Sequence, residues 1–200
     1  MQRLPILCVI RHGETEWSRS HRHTGRTDIP LTERGEREAR RVPAELERVL
    51  PGAEPELVLA SPLQRAARTA ELAGFGAGMQ LEPDLMEWDY GDYEGITTDE
   101  IHEQAPGWQL FTDGCPNGEQ PADVGTRAQR MVETVRAAGT DALVFSHGHF
   151  SRVLAACWLG LPPEYGRFLT LDTAAISLLG YEHNLSEPAI LRWNDTHHLD

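Results

Sequence analysis

The sequence contains no lysine, and all 18 of its basic residues are arginines. Its 31 acidic residues give a formal net charge of −13, which argues against a nucleic-acid-binding protein. It has no apolar run near the roughly 20 residues that cross a membrane, and no secretory leader is evident, so we expect a cytoplasmic protein outside the membrane. The three cysteines lack the spacing of a disulfide framework or a metal site, which fits a reducing compartment.

The arginines are concentrated in the first third of the chain. Residues 1–70 hold 12 arginines and 10 acidic residues, whereas residues 71–200 hold 6 arginines and 21 acidic residues. Arginine binds phosphate through a planar fork of N–H donors. The cationic character therefore lies where Arg11 and Arg65 occur, in a chain that is otherwise strongly acidic.

Apolar segments alternate with helical segments along most of the chain. The predicted strands cover 4–10, 56–60, 79–81, 141–145, 174–181 and 188–193. The predicted helices cover 36–50, 62–73, 122–138 and 150–159, the first of them kinked or split at Pro43. This alternation predicts one α/β domain over residues 1–200, a three-layer α/β/α sandwich with a mostly parallel sheet. We expect residues 83–120 to form a structured excursion over the sheet and 194–200 a loose tail.

Three of the predicted strands end at residues that suit a phosphoryl group. The first ends at Arg11 and His12, the second at Ser61 with Arg65 one helical turn further on, and the third at His147 and Gly148. Parallel strands bring their carboxyl ends to one edge of a sheet, so side chains more than 130 positions apart can converge there. Helix N-termini at the same edge add free amides and partial positive charge. The sequence therefore predicts a pocket for a dianionic phosphoryl group.

Five blocks of sequence carry a resemblance to a known family. They are RHGETEW (11–17), TGRTDIPLT (24–32), SPLQRA (61–66), EWDYGDYEG (87–95) and SHGH (146–149). In this order they resemble the signature of the histidine phosphatase superfamily, the phosphoglycerate-mutase-like enzymes, over nearly the whole chain. Ser18 departs from the asparagine that many relatives carry, although its hydroxyl can still donate a hydrogen bond to phosphate. Residues 87–95, 113–119 and 182–188 are similar to bacterial acid phosphatases and to fungal-type sedoheptulose-1,7-bisphosphatase within the phosphatase branch.

The predicted pocket can transfer a phosphoryl group through histidine. Arg11 and Arg65 should hold His12 in its neutral form, so that one ring nitrogen attacks phosphorus in line. His147 and the arginines would then neutralise the charge on the equatorial oxygens. The resemblance implies that Glu87 is the proton donor for the leaving oxygen and that a backbone carbonyl accepts from the second nitrogen of His12. We interpret the neighbouring carboxylates as solvated loop residues: Glu82, Asp84, Asp89, Asp92 and Glu94.

The predicted site thus has a phosphate pocket and a rim. The phosphate-binding candidates are Arg11, His12, Ser18, Arg65, His147 and Gly148. The rim candidates are His23, Thr24, Gly25, Tyr90, His149 and Arg152. Their hydrogen-bonding groups suit a hydroxyl-rich leaving group, so we predict a metal-independent phosphomonoesterase that acts on sugar phosphates or sugar acids without a cofactor. Arg152 could also receive a second phosphate of a bisphosphate.

Other functions stay open from the sequence. The pairs His21/His23 and His147/His149 would suit a metal-dependent hydrolase, although neither has the His-Glu-x-x-His spacing. A non-catalytic phosphate-binding regulator could use the same fold. Phosphoglycerate-mutase-type transfer is the alternative within the family. The expected partner is a small phosphate monoester, and the sequence is compatible with a homo-oligomer.

Overall fold

The computed structural model describes residues 4–52 and 55–199. The strands are β1 (Leu7–Arg11), β2 (Leu57–Ala60), β3 (Gln80–Leu81), β4 (Ala142–Ser146), β5 (Ile176–Tyr181) and β6 (Pro188–Asp195). The helices are α1 (Glu16–Arg19), α2 (Glu33–Val49), α3 (Gln64–Leu72), α4 (Thr98–Gln104), α5 (Leu110–Asp113), α6 (Pro121–Ala138) and α7 (Gly148–Trp158). Four 3₁₀ turns lie at Pro83–Leu85, Gly91–Tyr93, Pro163–Phe168 and His197–Leu199.

The strands form one six-stranded sheet in the order β3-β2-β4-β1-β5-β6. The first four of these neighbours pair in parallel, and β5 and β6 add to the edge of β1 in antiparallel fashion. Leu7 pairs with Ala142 and Arg11 with Ser146, so β1 and β4 end level with each other. The carboxyl ends of the parallel strands therefore share one edge, as the sequence predicted.

Both faces of the sheet are covered, which explains the nearly continuous apolar sequence of its central strand. Along β1, Leu7 and Val9 belong to an apolar cluster with residues of α6 and α7. Cys8 and Ile10 belong to a second cluster with residues of α2 and α3. This alternation gives the three-layer sandwich, and it confirms the predicted α/β fold with its mostly parallel sheet.

Helix α2 corrects the prediction of a split at Pro43. The helix runs without interruption from Glu33 to Val49, with Pro43 exposed on its outer side. Val42 and Glu45 on either side are buried against the rest of the protein. Packing of this inner face outweighs the one backbone hydrogen bond that proline cannot donate.

Among the described residues, no helix combines the length and apolar character that a membrane span requires.

The end of the chain also differs from its prediction. Residues 194–199 are not a loose tail, because β6 continues to Asp195 and the turn after it packs on α2. The buried carboxylate of Asp195 accepts from Arg48 at 2.8 Å. Arg41 donates to two carbonyls of the turn, at 3.1 and 3.2 Å. Ion pairs and hydrogen bonds order this polar segment, and its composition alone does not reveal them.

Two glycines bring the loop after β1 against the start of α2. A Cβ on Gly13 would lie 2.4 Å from the carbonyl oxygen of Gly35, and one on Gly35 would lie 2.1 Å from the carbonyl oxygen of Glu14. The Glu14 amide donates to the Glu38 carboxylate at 2.9 Å, and the Gly13 amide donates to the Thr69 hydroxyl at 3.1 Å. The loop that follows the central strand is therefore held by both α2 and α3.

We expect Gly35→Ala to lower the free energy of unfolding by about 1–3 kcal/mol, because backbone atoms surround the added methyl group and cannot move independently. Gly76→Ala is the matched control, since its Cβ would meet only the exposed Glu71 at 3.3 Å. Urea unfolding of the two variants measures the difference. Equal stability of both would contradict the close approach of Gly35 and Glu14.

Candidate active site

His12 follows the last residue of β1, and its backbone amide donates to the Ser146 carbonyl of β4 at 3.0 Å. Its ring Nδ1 lies 2.7 Å from the carbonyl oxygen of Gly13. A carbonyl oxygen can only accept, so Nδ1 carries the proton and Nε2 keeps a free lone pair. Burial, together with the charges of Arg65 and Arg11, holds the pKa of His12 well below its usual range. The ring is therefore a neutral base or nucleophile.

Arg65 and His147 lie fully buried next to His12. The Arg65 Nε donates to His147 Nδ1 at 3.1 Å. The proton of His147 is therefore on Nε2, which donates to the Ser61 hydroxyl at 2.8 Å. The ring centroids of His12 and His147 are 5.2 Å apart. Burial and the Arg65 charge also hold the pKa of His147 well below its usual range.

The remaining groups of Arg65 hold the loop 24–27 in place. Its two terminal nitrogens donate to the carbonyls of Thr24, Gly25 and Thr27 at 2.9–3.0 Å. From the other side, the Glu94 carboxylate accepts from the amides of Gly25 and Thr27 at 2.9 and 3.1 Å. The interpretation of Glu94 as a solvated carboxylate is thus wrong. The donors to its carboxylate are backbone amides, which leave no signal in the sequence.

Glu87 caps the N-terminus of α7 with its buried carboxylate. Its Oε1 accepts from the amide of Phe150 at 2.8 Å, and its Oε2 accepts from that of His149 at 3.0 Å. A Cβ on Gly148 would lie 3.3 Å from Arg11 Cζ and 3.6 Å from Glu87 Oε2. Glycine at the first position of α7 therefore lets the carboxylate and the guanidinium approach the helix end closely.

Arg11 presents an unused donor to the same region. Its Nη1 donates to the Leu171 carbonyl at 2.5 Å, while its buried Nε has no hydrogen-bond partner within the described part of the chain. Burial lowers the pKa of Arg11, and the nearby Glu87 carboxylate opposes that shift. A buried cationic N–H without an acceptor is suited to an oxyanion.

These groups surround a cavity of about 230 Å³. Ten of the predicted site residues line it: Arg11, His12, Ser18, His23, Thr24, Glu87, Tyr90, Gly148, His149 and Arg152. The other three predicted residues, Arg65, His147 and Gly25, do not line the cavity. Four lining residues were not predicted: His21, Arg22, Thr98 and Leu171. His21 and Arg22 stand beside the predicted rim residue His23 in the sequence, whereas Leu171, which accepts from Arg11 through its carbonyl, carries no such signal.

Hydrogen bonds fix the orientation of the rim side chains. The Tyr90 hydroxyl lies 2.5 Å from His149 Nδ1. Burial raises the pKa of Tyr90 and lowers that of His149, so the hydroxyl donates and His149 carries its proton on Nε2. Arg152 stacks 4.5 Å from the ring of Phe111, and its Nε donates to the Gly166 carbonyl at 3.1 Å. Burial lowers the pKa of Arg152 to about 10.

Ser18 lines the cavity, but its hydroxyl is engaged within α1. It donates to the Thr15 carbonyl at 3.0 Å and accepts from the Thr15 amide at 2.9 Å. The bond from the Thr15 amide, together with the one that the Ser18 amide donates to the Thr15 hydroxyl at 3.1 Å, forms the capping box at the start of α1. A hydroxyl has one proton, so Ser18 has none left for a phosphate in this conformation.

In each histidine pair considered for metal binding, one member is held by hydrogen bonds to other side chains. Both ring nitrogens of His147 are hydrogen-bonded, and His23 Nε2 lies 3.3 Å from the Thr98 hydroxyl. Within residues 4–52 and 55–199, the one group with three closely spaced ligand atoms is exposed Glu182, His183 and Glu187. These residues lie at the β5–β6 turn and do not line the cavity.

Comparison with known proteins shows the family to which the chain belongs. The model of the histidine phosphatase superfamily (branch 1) matches residues 7–196. The chain is 41% identical over 190 residues to an acid phosphatase from Mycobacterium tuberculosis, covering 92% of this chain and 91% of that protein. It is 34% identical over 186 residues to sedoheptulose 1,7-bisphosphatase from Saccharomyces cerevisiae, covering 78% and 68%. A solved structure of an open reading frame product from Mycobacterium tuberculosis has a TM-score of 0.89 at 38% identity, covering 97% of this chain and 99% of that chain.

The sheet and its flanking helices are those of the phosphoglycerate-mutase-like phosphatases. The chain belongs to the histidine phosphatase superfamily, and it is a phosphoric monoester hydrolase. The resemblance that the five sequence blocks carry is thereby confirmed.

The rim of the cavity should make the stability of the fold sensitive to acid. Burial lowers the pKa of His23 to about 4, whereas an unfolded histidine takes up its proton near pH 6.5. Between these pH values the unfolded state binds the extra proton, so stability falls as the pH falls. We expect His23→Gln to remove the part of this pH dependence that His23 causes, which is up to about 1.4 kcal/mol of unfolding free energy per pH unit. Urea unfolding between pH 7 and pH 4 measures it, and parallel curves for the variant and the wild type would contradict it.

Proposed function

We propose that this enzyme hydrolyses small phosphorylated metabolites, sugar phosphates in particular, through a phosphohistidine on His12. One observation carries the proposal: the Gly13 carbonyl holds the proton of His12 on Nδ1, which leaves the Nε2 lone pair free in a ring that lines the cavity. A neutral imidazole needs no further activation to attack phosphorus. Because the pKa of His12 is depressed, the ring keeps this form below pH 6.5, which suits an enzyme that works in acid.

Arginine side chains supply the charge stabilisation in this proposal. The free Nε of Arg11 is the donor best suited to a phosphoryl oxygen. Arg65 and His147 act from behind the nucleophile, where the positive charge of Arg65 already lowers the pKa of His12. The same charge would stabilise negative charge that develops during phosphoryl transfer. The amides of His149 and Phe150 donate to Glu87. The amide of Gly148, just before them, can donate to a further phosphoryl oxygen.

Glu87 is the proposed proton donor for the leaving oxygen. Amides of α7 orient its carboxyl group, and its Oε2 receives a single amide bond, which leaves room for a proton. A positioned general acid of this kind contributes roughly 10²- to 10⁴-fold to the rate. After the alcohol leaves, the same carboxylate can accept a proton from the water that attacks the phosphohistidine.

The rim supports a leaving group that bears several oxygen atoms. Tyr90 fixes the His149 ring so that Nε2 is a donor, and Arg22, Thr24, Thr98 and Arg152 add further polar groups. Leu171 is the one aliphatic side chain among the lining residues, so apolar phosphate esters gain little contact. Sugar phosphates and phosphorylated sugar acids match this lining best.

The nucleophile is tested with His12→Ala and its control His183→Ala, which changes an exposed histidine outside the cavity. We expect the first variant to fold, as judged by circular dichroism, and to have no turnover, while the second keeps full activity. Wild-type enzyme quenched during turnover should carry phosphate that is labile in acid and stable in alkali. Phosphate on serine or aspartate, or activity in His12→Ala, would refute the mechanism. Transfer to an added alcohol in place of release would favour the mutase-type alternative.

A second phosphate on the substrate is the finer part of the proposal. Arg152 can bind it through its remaining N–H groups, and we expect a bisphosphate to have a specificity constant about ten- to hundred-fold above that of a monophosphate of similar size. Arg152→Ala should remove this advantage and spare the monophosphate. Arg136→Ala is the control, because Arg136 also stacks on an aromatic ring and donates to a carbonyl, but outside the cavity. If wild-type enzyme shows no preference, Arg152 binds no second phosphate.

A further inference from the structure

Arg127 is a buried arginine of α6 that does not line the cavity. Its terminal nitrogens donate to three carbonyls of one short segment, those of Asp84 at 2.8 Å, Met86 at 2.5 Å and Glu87 at 3.1 Å. A single guanidinium therefore fixes the backbone of the residue that carries the proposed proton donor. This use of the planar fork is one that a lysine ammonium cannot reproduce at all three positions.

Glu119 binds both Arg127 and the residues that follow Glu87 in this segment. Its carboxylate accepts from Arg127 at 2.8 and 3.0 Å and from the amide of Asp89 at 2.8 Å. Its backbone carbonyl accepts from the indole N–H of Trp88 at 2.9 Å. Residues on both sides of Glu87 are therefore bound by one largely buried ion pair.

The same ion pair also reaches the amides that orient the Glu87 carboxylate. The guanidinium carbon of Arg127 lies 4.5 Å from the centroid of the Phe150 ring, over its face. The backbone amide of Phe150 is the donor to Glu87 Oε1. Arg127 thus contacts the backbone of Glu87 directly and packs on the residue that holds the carboxylate from the helix side.

We infer that Arg127, held by Glu119, is a positioning residue that sets the place of the Glu87 carboxyl group relative to the leaving oxygen. The inference rests on the proposed role of Glu87 as proton donor. Proton transfer requires the two oxygens within hydrogen-bond reach, and a displacement near 1 Å can cost up to about 10²-fold in rate. Loss of the pair frees the 84–89 segment and leaves His12, Arg11 and Arg65 in place.

The experiment compares two substrates in each variant, an aryl phosphate with a good leaving group and glycerol phosphate with an alkoxide leaving group. The readout is the ratio of their kcat/KM values, which does not depend on the fraction of folded enzyme. We expect Arg127→Lys and Glu119→Gln to raise the aryl-to-alkyl ratio by about tenfold or more, because an alkoxide needs the proton and a phenolate needs it little. Arg130→Ala is the matched control, since Arg130 lies on the same helix and binds the Asp84 carboxylate, but is exposed.

Glu87→Gln is measured beside these variants and separates the two levels of the argument. A raised ratio in Glu87→Gln, Arg127→Lys and Glu119→Gln, with Arg130→Ala at the wild-type ratio, supports the inference. A raised ratio in Glu87→Gln alone would leave Glu87 as the proton donor and overturn the role of Arg127. An unchanged ratio in Glu87→Gln would refute the proton-donor role and the inference with it. If Arg127→Lys does not fold, Glu119→Gln decides between these outcomes alone.

Discussion

A buried guanidinium needs acceptors for its N–H groups, and Arg65 finds them in two parts of the site at once. One donor fixes the ring of His147, and the others fix the carbonyls of the loop 24–27. Moving either part would leave a buried charge without its partners, which typically costs about 3–5 kcal/mol. The tautomer of His147 follows from this one side chain, which also helps to hold the loop 24–27. After burial, its charge is the next cause of the lowered pKa of His12.

In the cavity, arginines carry the positive charge, and neutral histidines provide the reactive nitrogens. Burial holds the pKa values of His12, His147 and His149 below their usual range, so these rings contribute lone pairs and N–H donors without charge. The cationic groups that line the cavity are arginines, which stay charged over the whole working pH range. A moderate change in pH can therefore alter proton transfer at this site, while the arginines that attract the phosphoryl group keep their charge.

Much of this arrangement is readable from the sequence, because strand ends and local motifs obey short-range rules. The apolar run of β1 predicted the strand that leads to Arg11 and His12, and the parallel strand ends predicted which residues converge. The side-chain hydrogen bonds could not be predicted from the sequence. Ser18 looked available to phosphate until its capping box with Thr15 was seen. Arg127 went unnoticed because its acceptors are backbone carbonyls some 40 positions away, and every residue has such a carbonyl.

The contrast between the arginine-lined cavity and the strongly acidic chain governs how substrates arrive. An anionic metabolite that comes within about one Debye length of the surface, roughly 8–10 Å at physiological salt, meets the field of a molecule with a net charge of −13. It is repelled until it reaches the mouth of the cavity, where the arginines dominate at short range. Added salt screens the distant repulsion more than the enclosed attraction. The rate of encounter should therefore rise with ionic strength, the reverse of the behaviour of an enzyme that steers its anionic substrate by long-range attraction.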